Sequence, residues 1–140
     1  MREQINLQEG MSYTVQKRVD YGDMAVSFGR KGVETLFSTT ALSRMMIKAA
    51  LEVTGDNLPK GYITVAKKFE LSHEKPTLQG MTVTIKAVLE KIEGNVLIFK
   101  VICYDELGEI AFGRMERHVV NKQALIERAK KRADILQRRS

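Results

Sequence analysis

Cysteine, proline and tryptophan are nearly absent from this 140-residue chain: one cysteine, two prolines, no tryptophan, and aromatics at 6%. A single cysteine excludes an intrachain disulfide, and its setting in VICYDE reads as a strand interior, so Cys103 is expected to be a buried, inert thiol. Few prolines and no low-complexity run leave no linker to separate two domains, and 44% hydrophobic with 29% charged residues is a globular composition. No apolar run approaches the roughly 18 residues needed to cross a bilayer, and the start MREQINLQEG lacks the hydrophobic centre of a secretory signal. The reading is one domain over 1–140 in the cytoplasm with no membrane partner, residues 1–10 forming an N-terminal extension and 121–140 a basic C-terminal helix.

Charge is unevenly placed. The formal net charge is +6, and the tail after Asn121 carries Lys122, Arg128, Lys130, Lys131, Arg132, Arg138 and Arg139 against Glu127 and Asp134. Such an end keeps a protein soluble or attracts a polyanion. Nucleic acid is not the expected polyanion, since no recognition motif or run of basic and aromatic residues is present. Metal binding is not expected either, because His73, His118 and Cys103 show no zinc-site spacing. Gly29-Arg30-Lys31-Gly32 lacks the ending of a phosphate-binding loop and reads as a turn.

Met81, Val83, Ile85, Ala87 and Leu89 alternate with mostly polar residues, the period of a half-buried strand. Glu93-Gly94-Asn95 turns the chain, Val96 to Tyr104 gives a second strand, Asp105 to Gly108 turns again, and Ile110 to Val120 gives a third. Upstream, Gly61 to Ser72 reads as a strand ended by Pro76, and Met11 to Val19 with Met24 to Phe28 supplies the first pairings. Between them Leu42, Met45, Met46, Ala49, Ala50 and Val53 share one face of a helix. Ser38, Thr39 and Thr40 offer N-cap hydroxyls, and Gly55 closes it. The tail from Asn121 to Arg139 is a second helix whose stripe of Leu125, Ala129, Ala133 and Leu136 suffices to dock on a surface but not to build a core. The order predicts an α+β fold in which a curled antiparallel sheet wraps one central helix, with an open edge strand that a dimer would cover.

The segments LFSTTALSRMMIKAALEV, LSHEKPTLQGMTVTIKAVLEKIEG and YDELGEIAFGRMERHVV resemble the fluoroacetyl-CoA thioesterase-like branch of the hot-dog fold thioesterases, from about Asp23 to Val120. The resemblance implies a hot-dog fold, a homodimer or higher homo-oligomer with pockets between subunits, and an acyl thioester of coenzyme A or of an acyl carrier as substrate, coenzyme A being part of that substrate and no other cofactor needed. In that family a threonine ahead of the central helix, a glutamate on it and a histidine ending the next strand form the site. The threonine falls on Thr39 and the histidine on His73, but the glutamate falls on Ile47. Thr40 stands where the wider family usually has proline or glycine, and Met115 where the closing motif usually has histidine.

Thioester hydrolysis needs an activated water or nucleophile and donors for the oxyanion. Helix-start amides around Thr39 to Leu42 are suited to the second task, and a histidine titrating near neutral pH to the first. Thr39 and His73 are therefore the candidate catalytic residues, with Ser38, Thr40, Ser43, Ile47 and Gly80 as candidate substrate contacts. Loss of the carboxylate at Ile47 leaves two expectations: a thioesterase in which Glu34, Glu70 or Glu74 substitutes, or a binding module that keeps the pocket without turnover.

Overall fold

A computed structural model describes residues 5–24 and 35–139. Its elements are β1 (Ser12–Arg18), a 3-10 turn at Tyr21–Asp23, α1 (Thr39–Thr54), β2 (Tyr62–His73), β3 (Thr82–Glu93), β4 (Val96–Asp105), β5 (Gly108–Asn121) and α2 (Lys122–Arg138). The five strands form one antiparallel sheet in the order β1-β3-β4-β5-β2, curled around α1 in the hot-dog arrangement. No helix among the described residues is long and apolar enough to cross a membrane.

The alternation expected of β3 is realised: Val83, Ile85, Ala87 and Leu89 are fully buried beneath α1. From the helix side, Leu42, Met46, Ala49, Ala50 and Val53 bury the stripe legible in the sequence, while Met45 lies half-buried at its margin. Three of these are large side chains, each contributing about 1.5–3 kcal/mol on leaving water, which fixes α1 on the sheet. Residues 5–10, read as an extension, place Ile5 and Leu7 in the same core, and the Asn6 amide bonds the Asn57 carbonyl beyond α1.

Met24 makes only an isolated bridge to Phe37, and the rest of the strand expected at Met24 to Phe28 lies outside the described residues, as do Gly29 to Gly32 and Glu34. At Gly113, β5 runs so close to β2 that a Cβ would stand 2.6 Å from the Glu70 carbonyl oxygen and 3.0 Å from the Phe69 ring. Only glycine permits that approach, and it sets the path of β2 toward His73. Cys103 is buried on β4, and burial pushes its thiol up to about 12, as expected of an unreactive cysteine.

Candidate functional site

The start of α1 meets the end of β2 because the loop between β2 and β3 doubles back. Thr77, fully buried, accepts from the Phe37 amide at 2.8 Å through its carbonyl and donates its hydroxyl to Asp105 at 2.8 Å. A further bridge joins Leu36 to Leu78. On the other side the Ser38 amide donates to the Asp23 carbonyl at 2.8 Å. Burial would raise the Asp23 carboxyl, but the Lys17 ammonium at 2.6 Å and the Asp20 amide at 3.1 Å together outweigh that effect and hold it below its ordinary value. The segment entering α1 is thus fastened on both flanks, and Thr39 has little choice of position.

Among the three hydroxyl residues at the helix start, the structure divides the work. Ser38 is the N-cap, its buried hydroxyl accepting from the Ala41 amide at 3.0 Å, and its carbonyl takes the Leu42 amide. That leaves the Thr39 side chain free, and its hydroxyl lies 2.7 Å from His73 Nδ1. It also leaves the Thr39 and Thr40 amides without a hydrogen-bond partner among the described residues, at the positive end of the helix dipole. Thr40 is exposed beside them, and the Ser43 hydroxyl donates to the Thr40 carbonyl at 2.9 Å.

His73 is half-buried, with the Phe37 ring edge-on to it at 6.3 Å between centroids. Burial pushes its pKa below 6.5, with a smaller opposing pull from the Lys75 backbone. The imidazole is therefore neutral at pH 7 and able to accept a proton. Its second nitrogen, Nε2, is buried and has no hydrogen-bond partner among the described residues.

No carboxylate among the described residues bonds His73. Glu70 points out of the opposite face of the sheet in an exposed pair with Lys68 at 3.0 Å, and Glu74 accepts from the Ser72 hydroxyl. Ile47 is half-buried against the core, so the flank of α1 beyond Ser43 carries an apolar side chain where the family has an acid. Gly80, with φ 92°, is a turn residue whose amide bonds the Val19 carbonyl. It is not among the groups that meet Thr39 and His73. Phe37, Thr77 and Asp105, which hold the pair together, carried no signal in the sequence, since a buried threonine after a proline looks like any loop residue.

Comparison with known proteins identifies the family and the fold. The model of the family described as fluoroacetyl-CoA-specific thioesterase matches residues 19–123. A fluoroacetyl-CoA thioesterase from Streptantibioticus cattleyicolor is 29% identical over 61% of this chain, which spans 62% of that relative's length. A hot-dog-like protein from Thermanaerovibrio acidaminovorans superposes with TM-score 0.84 at 28% identity, covering 90% of this chain and 93% of the other. A variant of a fluoroacetyl-CoA-specific thioesterase crystallised with fluoroacetate and CoA superposes with TM-score 0.77 at 23% identity over 85% and 99% of the two chains, a likeness of fold.

Proposed function

Because this chain belongs to the fluoroacetyl-CoA-specific thioesterase family, we propose that it hydrolyses an acyl thioester of coenzyme A at Thr39 and His73. The observation that carries this reading is the 2.7 Å contact between Thr39 Oγ1 and His73 Nδ1, set beside two helix-start amides that have no partner among the described residues. The thioester carbonyl oxygen sits on the Thr39 and Thr40 amides, which are fixed in advance and stabilise the negative charge as it develops. Neutral His73 takes a proton from water as the water oxygen bonds to the carbonyl carbon. The C–S bond then breaks, and the same proton passes to the departing thiolate, giving a carboxylic acid and coenzyme A. Thr39 orients the imidazole and the carbonyl, and water is the nucleophile, since no carboxylate among the described residues completes a relay to the Thr39 hydroxyl.

In this reading Ile47, half-buried against the core, gives the acyl side an apolar wall. One relative crystallised with fluoroacetate and CoA supports coenzyme A as the thiol, while the apolar wall favours a hydrocarbon acyl group over a small polar one.

The active unit in this reading is a homodimer formed through β2. That strand is the long open edge of the sheet, paired with β5 alone, and an uncovered twelve-residue edge invites a second strand. A twofold axis at Phe69 sets Lys68 against Glu70 of the partner subunit and ring against ring.

A second reading, acyl-CoA binding without turnover, is favoured by one observation: Ile47 falls where the family's helix acid is expected, and no carboxylate among the described residues bonds His73. A thiol-release assay across short, medium and aromatic acyl-CoAs separates the two. Turnover by the native chain that is lost in His73→Ala supports the enzyme; a silent native chain that gains turnover as Ile47→Glu supports the binding module.

A further inference from the structure

The second helix meets the rest of the molecule along one side. Gln123, Ile126, Glu127 and Lys130 border a cleft of about 380 Å³ against Gly61, and the Lys122 amide bonds the Gly61 carbonyl at 2.9 Å. Lys60 borders a second cleft at the same glycine, so Lys60, Lys122 and Lys130 gather there. From Ile126 to Arg139 every residue is exposed. A helix of this length without a packed face is marginal in water, and a further surface would stabilise it.

Successive residues of an α-helix turn by about 100°. On that spacing Leu125, Arg128, Arg132, Ile135, Leu136 and Arg139 share an arc of roughly 100° on the side turned away from the cleft. Arg139, the C-cap, keeps helical dihedrals (φ −86°, ψ −14°) and so extends the arc. Glu127 borders the cleft, and Asp134, a heptad further on, lies on the same side as Glu127. Arginines therefore alternate with large aliphatic side chains, and no carboxylate lies among them. Ile135 is 55% and Leu136 71% exposed, and Arg128, Arg132 and Arg139 make no ion pair with the described residues.

Charge and area select the occupant of this face. A second copy of α2 is excluded, because arginine would face arginine. A folded protein partner buries about 20–30 residues on each side, and one face of a projecting helix falls well short. A nucleic-acid groove offers phosphates but gives the aliphatic chains nothing apolar to enter. An anionic bilayer satisfies both halves of the face: guanidinium forks pair with phosphate oxygens, and leucine and isoleucine enter the boundary between headgroups and acyl chains, where no matching shape is needed.

We propose that α2 lies on an anionic lipid surface through this arginine and aliphatic face and holds the folded body at the membrane. With no aromatic anchor on the helix, attachment is electrostatic first and therefore sensitive to salt. A helix lying in the interface needs no spanning segment, so the lack of a helix long enough to cross does not oppose it. The proposal departs from the expectation of no membrane partner, which rested on that lack, and it is independent of the thioester reading.

The test is co-sedimentation of the full chain with phosphatidylglycerol and with phosphatidylcholine vesicles. The native chain is expected on phosphatidylglycerol alone at low salt, leaving as salt rises, with added helix by circular dichroism. Arg128→Glu, Arg132→Glu and Arg139→Glu together are expected to weaken uptake about 100-fold or more. Without lipid their thermal melt should match the native one, because α2 buries no residue. Ile135→Gln with Leu136→Gln is expected to weaken uptake about tenfold. The same charge change elsewhere, as Lys60→Glu, Lys86→Glu and Lys91→Glu, should keep most of it.

No uptake by phosphatidylglycerol, equal uptake by both lipids, or uptake that survives the arginine substitutions overturns the proposal. So does an equal loss in the lysine control, which would leave net charge as the cause. Duplex DNA bound more tightly than vesicles, and kept by the aliphatic variant, would assign the arginines to nucleic acid and overturn it as well. Because uptake is read without substrate, a chain that binds vesicles but releases no thiol sinks the thioesterase reading and leaves this inference standing.

Discussion

The two helices are almost equal in length and both are amphipathic, yet they have opposite fates. Seven of the sixteen residues of α1 are buried, and none of the seventeen of α2. The charges of α1, Arg44, Lys48 and Glu52, recur every four residues along one side, leaving the other side free to bury Leu42, Met46 and Val53 together. Around α2 the charges recur on every side, with Arg128, Lys130 and Arg132 flanking the narrow line of Leu125, Ala129, Ala133 and Leu136. What separates them is the width of the apolar face and the size of the side chains on it, since alanine buries too little area to hold a helix on a sheet. One helix sets Thr39 beside His73 from within the core; the other remains a charged surface.

The sharpest way to break this contrast is at the head of α1. Removing the imidazole as His73→Ala is expected to lower thiol release about 100-fold or more, while Leu136→Ala on α2 leaves it unchanged; equal losses would mean that the site lies elsewhere. In the core the same contrast takes a different scale. Leu42→Ala should cost about 2–5 kcal/mol by urea denaturation, against a change within about 0.5 kcal/mol for Leu136→Ala. A large effect at Leu136 would show that α2 is held by something the isolated chain does not display.

Ile47→Glu should cost about 1–3 kcal/mol in stability, because it places a carboxylate on a half-buried apolar flank, while raising thiol release if only the acid is missing. A variant that loses stability and gains no activity would show that the flank has been rebuilt beyond that one residue. His73 also links stability to pH. Its folded pKa lies below 6.5 through burial, so the folded chain binds fewer protons than the unfolded one. The stability from the buried neutral ring is complete above pH 6.5 and is lost as pH falls through the folded value. The acid limbs of thermal stability and of thiol release should coincide in the native chain, and the stability limb should flatten in His73→Ala. Smallest of all, a chain ending after Lys122 should lose less than about 1 kcal/mol of stability in a thermal melt, because α2 buries none of its residues.

Much of the fold was legible because its signals are local and periodic. The alternation from Met81 to Leu89 and the stripe from Leu42 to Val53 each state which side of an element is apolar, and a sheet with one helix is the arrangement that buries both. The second helix was also legible, down to a stripe too narrow for a core. The candidate site was legible only by resemblance. Thr39 and His73 are 34 residues apart, and no spacing rule connects the head of a helix with the tail of the following strand.

Three hydroxyl residues stand in a row at the start of α1, and the sequence offers all three as caps. The choice of Ser38, which frees Thr39 for His73, depends on how the chain is clamped between Asp23 and Thr77, two residues that bond it from opposite sides. That no carboxylate among the described residues bonds His73 was half-visible at Ile47, but that Glu70 and Glu74 do not do so required the strand's facing and its bulge at Ala66 and Lys68 to be known. The sequence by itself determined the elements, their apolar faces and the basic charge of the tail, because each of these is a property of neighbouring residues. The tertiary structure alone decided which hydroxyl meets the imidazole, which acids are turned away and which lysines gather at Gly61, because those outcomes depend on distances between segments that only the packed sheet brings together.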